Sequence, residues 1–153
     1  MTWLRPISLA LAILTILAPL AHILELPNKL SLDSNVWLAV QQHLYRGWGP
    51  FLGGPAEIGA LTVNLILAYV RRDDVIAMRL TLIASTGYAG MLAAFFILNL
   101  PINTAVAAWT PATLPADWSA YRLRWETGHL IALLLSITSF GALLLEHSRR
   151  NRG

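Results

Sequence analysis

The stretch ISLALAILTILAPLAHIL, residues 7–24, holds no charged residue and is closed by Glu25 and Pro27. As a helix it rises about 27 Å, close to the hydrocarbon thickness of a bilayer, so it reads as a membrane span. A secretory signal is the rival reading, because Arg5 precedes the apolar run. The run does not end in an Ala-x-Ala cleavage site, however, and leads straight into His22, Glu25 and Lys29. A retained helix is therefore expected.

The rest of the chain extends this reading. Of 153 residues, 56% are hydrophobic and 12% charged, against roughly 45–50% apolar and 25% charged in soluble domains. Three further apolar runs follow, giving spans near residues 6–25, 55–70, 77–100 and 124–146. Pro55 suits the first turn of the second span and places Glu57 beside it. Arg71, Arg72, Asp73 and Asp74 make a polar turn, and Pro101 is expected to end the third span. The fold class is all-α: an integral membrane, up-down-up-down four-helix bundle forming a single transmembrane domain over residues 1–153. The absence of cysteine excludes disulfides, thiolate metal sites and cysteine nucleophiles. The net charge of +3 comes from scattered basic residues, which points to the lipid bilayer as partner and away from nucleic acid.

In such a bundle both termini and the Arg71 turn share one side, which carries Arg5, Arg71, Arg72, Arg79, Arg149, Arg150 and Arg152. The other side carries Lys29, Arg46, Arg122 and Arg124. Seven against four places both termini of this plasma-membrane protein in the cytoplasm. Two longer connections, residues 26–54 and 101–124, then lie outside, each with an interfacial helix. One covers 35–45, with Trp37, Val40 and Leu44 on one face; the other covers 117–124 and runs into the fourth span. Trp37, Trp48, Trp109, Trp118 and Trp125 fall on this side and read most simply as an aromatic belt.

The halves of the chain echo each other. Ile23-Leu24-Glu25-Leu26-Pro27 matches Ile97-Leu98-Asn99-Leu100-Pro101, Tyr45-Arg46-Gly47-Trp48 resembles the segment from Tyr121 to Trp125, and Glu57-Ile58-Gly59-Ala60-Leu61 resembles Glu126-Thr127-Gly128-His129-Leu130. A two-span repeat of this kind implies a pseudo-two-fold axis along the membrane normal. Phe96 stands where His22 stands, Asn99 where Glu25 stands and Ala60 where His129 stands, which concentrates chemistry on spans one and four.

His22 and Glu25 are three residues apart, hence on one helical face, and Glu126 and His129 repeat that spacing on the oppositely running fourth span. Glu57 opens span two at the same rim, and Asn99 and Asn103 flank Pro101. Ionisable groups in a bundle are costly and face its interior or a wet cavity, so a polar pocket at the non-cytoplasmic end is expected. The plainer alternative pairs the glutamates with Lys29, Arg46, Arg122 or Arg124 at the headgroups. Asn64 is expected to bond a neighbouring helix; His43 and His147 are placed in an interfacial loop helix and an exposed tail. Gly87 and Gly90, with Ala84 and Ala94, form a small-residue face suited to close helix packing or a homo-oligomer contact.

His22-x-x-Glu25-x-Pro27-Asn28-Lys29, Asn99-x-Pro101-x-Asn103 and Arg124-Trp125 followed by His129 together resemble the anthrone-oxygenase-like family of small four-helix membrane proteins, most of whose members are uncharacterised. The resemblance runs over nearly the whole chain. Many relatives carry an arginine one turn after the histidine, where this chain has Ala132. The resemblance implies oxidation of a lipophilic aromatic ketone, an anthrone going to an anthraquinone, without a cofactor. His22 or His129 would remove the activated ring proton, Glu25 or Glu126 would orient that histidine, and O₂ would oxidise the anion. Lys29, Arg124, Asn99 and Asn103 are candidates to stabilise the phenolate, with Glu57 and Trp125 as further substrate-binding residues.

Three alternatives stay open. A carboxylate-bridged metal pair is one bundle solution, but His22-x-x-Glu25 reads in reverse order and span three offers Asn99 where a carboxylate is wanted, so no metal ligand is assigned. A haem between His22 and His129 is the second. The third is a non-enzymatic membrane partner or quinone-binding module.

Overall fold

The computed structural model describes residues 3–150, with residue 150 described by its backbone alone. Arg152 and the side chain of Arg150, both counted in the charge balance, lie outside the described residues. All regular elements among these residues are helical. Helix α1 (Leu4–Leu24) stops because Pro27 has no N–H for the Ile23 carbonyl. The chain restarts as a single turn, α2 (Leu26–Leu30), with Pro27 in its first turn, where no N–H is needed. The Asp33 carboxylate accepts from the N–H groups of Asn35 and Val36 at 2.9 and 3.0 Å and so caps α3 (Ser34–Ala39).

Helix α3 widens into a π-helical segment, π1 (Val40–Leu44). After a turn in which Gly47 takes φ 93°, a second wide segment, π2 (Gly49–Gly53), enters α4 (Gly54–Val70). Asp74 ends the polar turn by accepting from the Ala77 N–H at 3.0 Å, which starts α5 (Val75–Ala94). Then come π3 (Phe95–Asn99), α6 (Leu100–Ala108) and α7 (Trp118–Arg150). Among the described residues four helical stretches, Leu4–Leu24, Ser34–Val70, Val75–Ala108 and Trp118–Arg149, are long and apolar enough to cross a membrane.

Helix α1 packs on α4 and α7, and α5 packs on the same two. Arg5, near the start of α1, is ion-paired with Glu146, near the end of α7. One turn on, the Ser8 hydroxyl donates to Asn64 Oδ1 at 2.9 Å, the interhelical bond expected of Asn64. The small-residue face of α5 is covered by α7: a Cβ on Gly87 would lie 2.0 Å from Ser139 Oγ, and one on Gly90 3.0 Å from the Leu135 side chain. Small polar side chains share the interior with apolar ones, and large apolar side chains face outward. Ser8, Asn64, Thr81, Ser136 and Ser139 are fully buried, while Leu14, Leu65, Ile83, Leu134 and Ile137 lie on the outside. A surface of that kind suits acyl chains and is compatible with a multi-pass membrane protein.

Two expectations are corrected. Pro101 does not end the third long helix, because α6 continues to Ala108. Proline leaves the Ile97 carbonyl without its helical donor, and Arg124 Nη2 supplies one at 2.7 Å. Buried positions along this rod fall at Tyr88, Met91, Ala94, Asn99, Ile102 and Val106, and the one long step, Ala94 to Asn99, is the π turn. The fourth helix starts at Trp118, so residues 118–124 are continuous with it.

The second correction concerns the tryptophans. Trp37 is 0% and Trp125 3% exposed. With Leu38, Tyr45, Ile102 and Val106 they form a core, onto which Trp48, Trp109, Trp118 and Tyr121 pack. Trp37 therefore does not share an outward face with Leu44, which is exposed. The aromatics join the two connections to the bundle, and π1 is tied to the end of α6 by Gln42 Nε2, which donates to the Val106 and Trp109 carbonyls at 2.8 Å each.

Candidate functional site

The end of α1, the single turn of α2, the turn after π1 and the first turns of α7 converge on one polar cluster. His22 sits in the last turn of α1 and is 2% exposed. His129 lies about three turns into α7, and the two imidazole centroids are 4.1 Å apart with planes at 37°. Trp125, one turn before His129, meets both rings edge-on, at 4.7 Å from His22 and 4.2 Å from His129. Tyr45 and Trp48 close the other side, at 4.6 and 5.5 Å from His22.

Because α2 turns the chain immediately after α1, Lys29 comes back over His22. Its Nζ lies 2.8 and 3.0 Å from the two oxygens of Glu126 and 3.5 Å from His22 Nδ1. The ammonium also stands 5.1 and 5.5 Å from the ring centroids of Trp125 and Tyr45. Both partners of the Lys29–Glu126 pair are 4% exposed at the side chain, so each is tied to the other: a buried charge without its partner is expensive. Arg122 steadies α2 by donating to the carbonyls of Lys29 and Leu32, at 3.0 and 3.4 Å, while its guanidinium lies 4.6 Å from the Trp118 ring.

The other carboxylates are placed differently. Glu25 accepts a hydrogen bond from the Tyr45 hydroxyl, and its Oε2 is 4.0 Å from His22 Nδ1, beyond hydrogen-bond range. Neither Glu25 nor Glu126 is hydrogen-bonded to a histidine; the charged group on His22 is Lys29. Glu57 is half-buried in the first turn of α4 and makes no hydrogen bond or ion pair among the described residues.

The Asn-x-Pro-x-Asn and Arg-Trp segments hold each other. Asn99 Nδ2 donates to the Trp125 carbonyl at 2.9 Å, Trp125 Nε1 donates to Asn103 Oδ1 at 2.8 Å, and Arg124 serves the carbonyl that Pro101 frees. A Cβ on Gly128 would lie 2.1 Å from Asn99 Oδ1; the missing side chain lets π3 approach α7. Asn99, Asn103 and Arg124 thus clamp Trp125 against the histidines, and these polar atoms are committed to that clamp.

Sequence reasoning missed Tyr45 as a partner of Glu25, and Trp48 as a wall of the site. The signal was there in the echo that aligns Trp48 with Trp125, both of which pack on His22. His129 Nε2 is one of several buried side-chain atoms, Trp37 Nε1 and Tyr88 Oη among them, that have no hydrogen-bond partner among the described residues. No group of three or more His, Asp or Glu side chains among the described residues is placed to hold a metal ion. No protein-family model, characterised protein or solved structure matches the chain.

Proposed function

We propose that the chain is an up-down-up-down protein of the plasma membrane, with both ends cytoplasmic and the histidine pair toward the outer face, and that this site oxidises a lipophilic aromatic ketone of the anthrone type with O₂. The observation that carries the reading is the contact of His22 and His129 at 4.1 Å within a wall of Tyr45, Trp48 and Trp125. Aromatic walls suit a flat fused-ring ligand, and a bilayer concentrates one.

A histidine takes the ring proton that the carbonyl and flanking rings acidify, and the C–H electron pair passes into an extended phenolate. O₂ accepts those electrons and bonds to the same carbon. Loss of water from the hydroperoxide then leaves the second carbonyl. Ketone plus O₂ gives quinone plus water, so the balance requires no further oxidant. Lys29 is the cation near enough to favour the phenolate.

A non-catalytic quinone-binding or partner module is the second reading, favoured by how fully the polar groups are engaged within the protein: Glu25 with Tyr45, Lys29 with Glu126, and Trp125 with Asn99 and Asn103. A haem between the histidines is a third reading, and like a fused-ring ligand between them it would need the two rings to part from their 4.1 Å contact. The test is anthrone-dependent O₂ uptake in membranes carrying the wild type or the His22→Ala/His129→Ala double variant. Removing the base should cost about 10² to 10⁴ in rate. Saturable quinone binding without turnover would favour the module, and neither would sink both readings.

A further inference from the structure

Lys29 touches His22 and Glu126 at once, and that contact constrains where the imidazole proton sits. An ammonium can only donate, so His22 Nδ1, 3.5 Å from Lys29 Nζ, holds a lone pair. The neutral ring then carries its proton on Nε2. Glu25 does not compete for Nδ1, since it lies 4.0 Å away and takes the Tyr45 hydroxyl. His129 is the opposite case. Its Nε2 is buried without a partner among the described residues, and Glu126, one turn earlier on the same helix, is turned to Lys29. A buried imidazole nitrogen left unbonded is costly, and a substrate proton would complete it.

Resting on the oxidation reading, we propose that Lys29 divides the labour of the two histidines: His22, held as the Nε2–H tautomer, donates a hydrogen bond to the ligand oxygen, and His129 is the base whose Nε2 takes the ring proton. His22 cannot serve as the base in this arrangement. Its Nε2 already holds a proton, and its Nδ1 faces a cation. When the C–H bond breaks, its proton goes to His129 Nε2 and its electron pair appears as phenolate charge, which the His22 N–H and the Lys29 ammonium favour. After O₂ has added, the His129 imidazolium returns a proton to the peroxide oxygen. The neutral imidazole then removes the remaining C–H proton as the O–O bond breaks, and water leaves. Lys29 is a positioning residue here, acting through the tautomer of His22.

Glutamine provides an N–H donor but no basic nitrogen, and this separates the roles. In the full-length protein His129→Gln should lose about 10² to 10⁴ of anthrone turnover, while His22→Gln, which loses the imidazole but keeps a donor, should lose clearly less. A second readout is independent of turnover: nitrogen-15 NMR of labelled histidines in lipid nanodiscs should find His22 unprotonated at Nδ1 and protonated at Nε2. Lys29→Met combined with Glu126→Gln, which leaves no lone buried charge, should let the His22 tautomers mix. Equal losses in the two glutamine variants, or a protonated Nδ1 on wild-type His22, would overturn the assignment. If the wild type turns over no anthrone, the oxidation reading and the base role of His129 fall together, and the NMR result then decides the hold of Lys29 on His22.

Discussion

Arg124 and Ile97 are joined by a hydrogen bond that proline chemistry makes necessary: the guanidinium donates to the carbonyl at 2.7 Å, and Pro101, four residues on, has no N–H to give it. A side chain from another helix thus stands in for a backbone donor, and the third long helix runs on past its proline. Arg124→Met should lower stability by about 1 kcal/mol, read as thermal unfolding in detergent. In a Pro101→Ala background, where the backbone N–H returns, the same substitution should cost clearly less. Equal costs in both backgrounds would show that the bond is incidental.

Lys29→Met strands Glu126 in a site where both side chains are 4% exposed. Breaking a buried pair in this way costs about 3–5 kcal/mol, enough to reduce folded protein sharply. Adding Glu126→Leu should restore most of the loss. A double variant no more stable than Lys29→Met alone would contradict the pairing.

Gly128→Ala places a methyl 2.1 Å from Asn99 Oδ1 and 2.7 Å from its Cγ. The amide cannot turn aside freely, because Nδ2 holds the Trp125 carbonyl. The expected cost is about 1–3 kcal/mol, accompanied by a change in tryptophan fluorescence as Trp125 is released. In an Asn99→Ala background the penalty should largely vanish, and an undiminished penalty would place the strain elsewhere.

Orientation can be read without a background substitution, because the chain has no cysteine. In intact spheroplasts Ala112→Cys should react with a membrane-impermeant maleimide, and Asp73→Cys should react only after permeabilisation. Both positions are exposed, so the reverse pattern would invert the charge-bias argument.

Much of the bundle was legible because its signal is local. Uncharged runs such as residues 7–24 stand out by length alone, and the polar turn from Arg71 to Asp74 marks the break between α4 and α5; Pro55 does not mark a start, because helical backbone already enters α4 from Gly49. What failed was whatever depended on a second segment. Pro101 is a stop signal unless something like Arg124 arrives from elsewhere, and nothing in the spacing announces that it does. Trp37 has the composition of a headgroup anchor, yet it is buried by the packing of α3 on α6 and α7. The histidines were visible from their i, i+3 glutamates, but the i, i+3 partners are not what holds them. Lys29 reaches His22 because α2 folds the chain back, and Glu126 is drawn to Lys29 across helices.

The five-residue step from Ala94 to Asn99 acts as a phase correction. One added residue turns a helix by about 100°, so without it the seam of Tyr88, Met91 and Ala94 could mesh with α7 while Asn99 and Asn103 swung round toward lipid. With it, one continuous rod engages the same neighbour twice, first through the closely packed seam of α5 and then through an amide clamp, as a gear train stays meshed by slipping one tooth. The upper clamp, and with it the seating of Trp125 on the histidines, depends on the count of residues between the two.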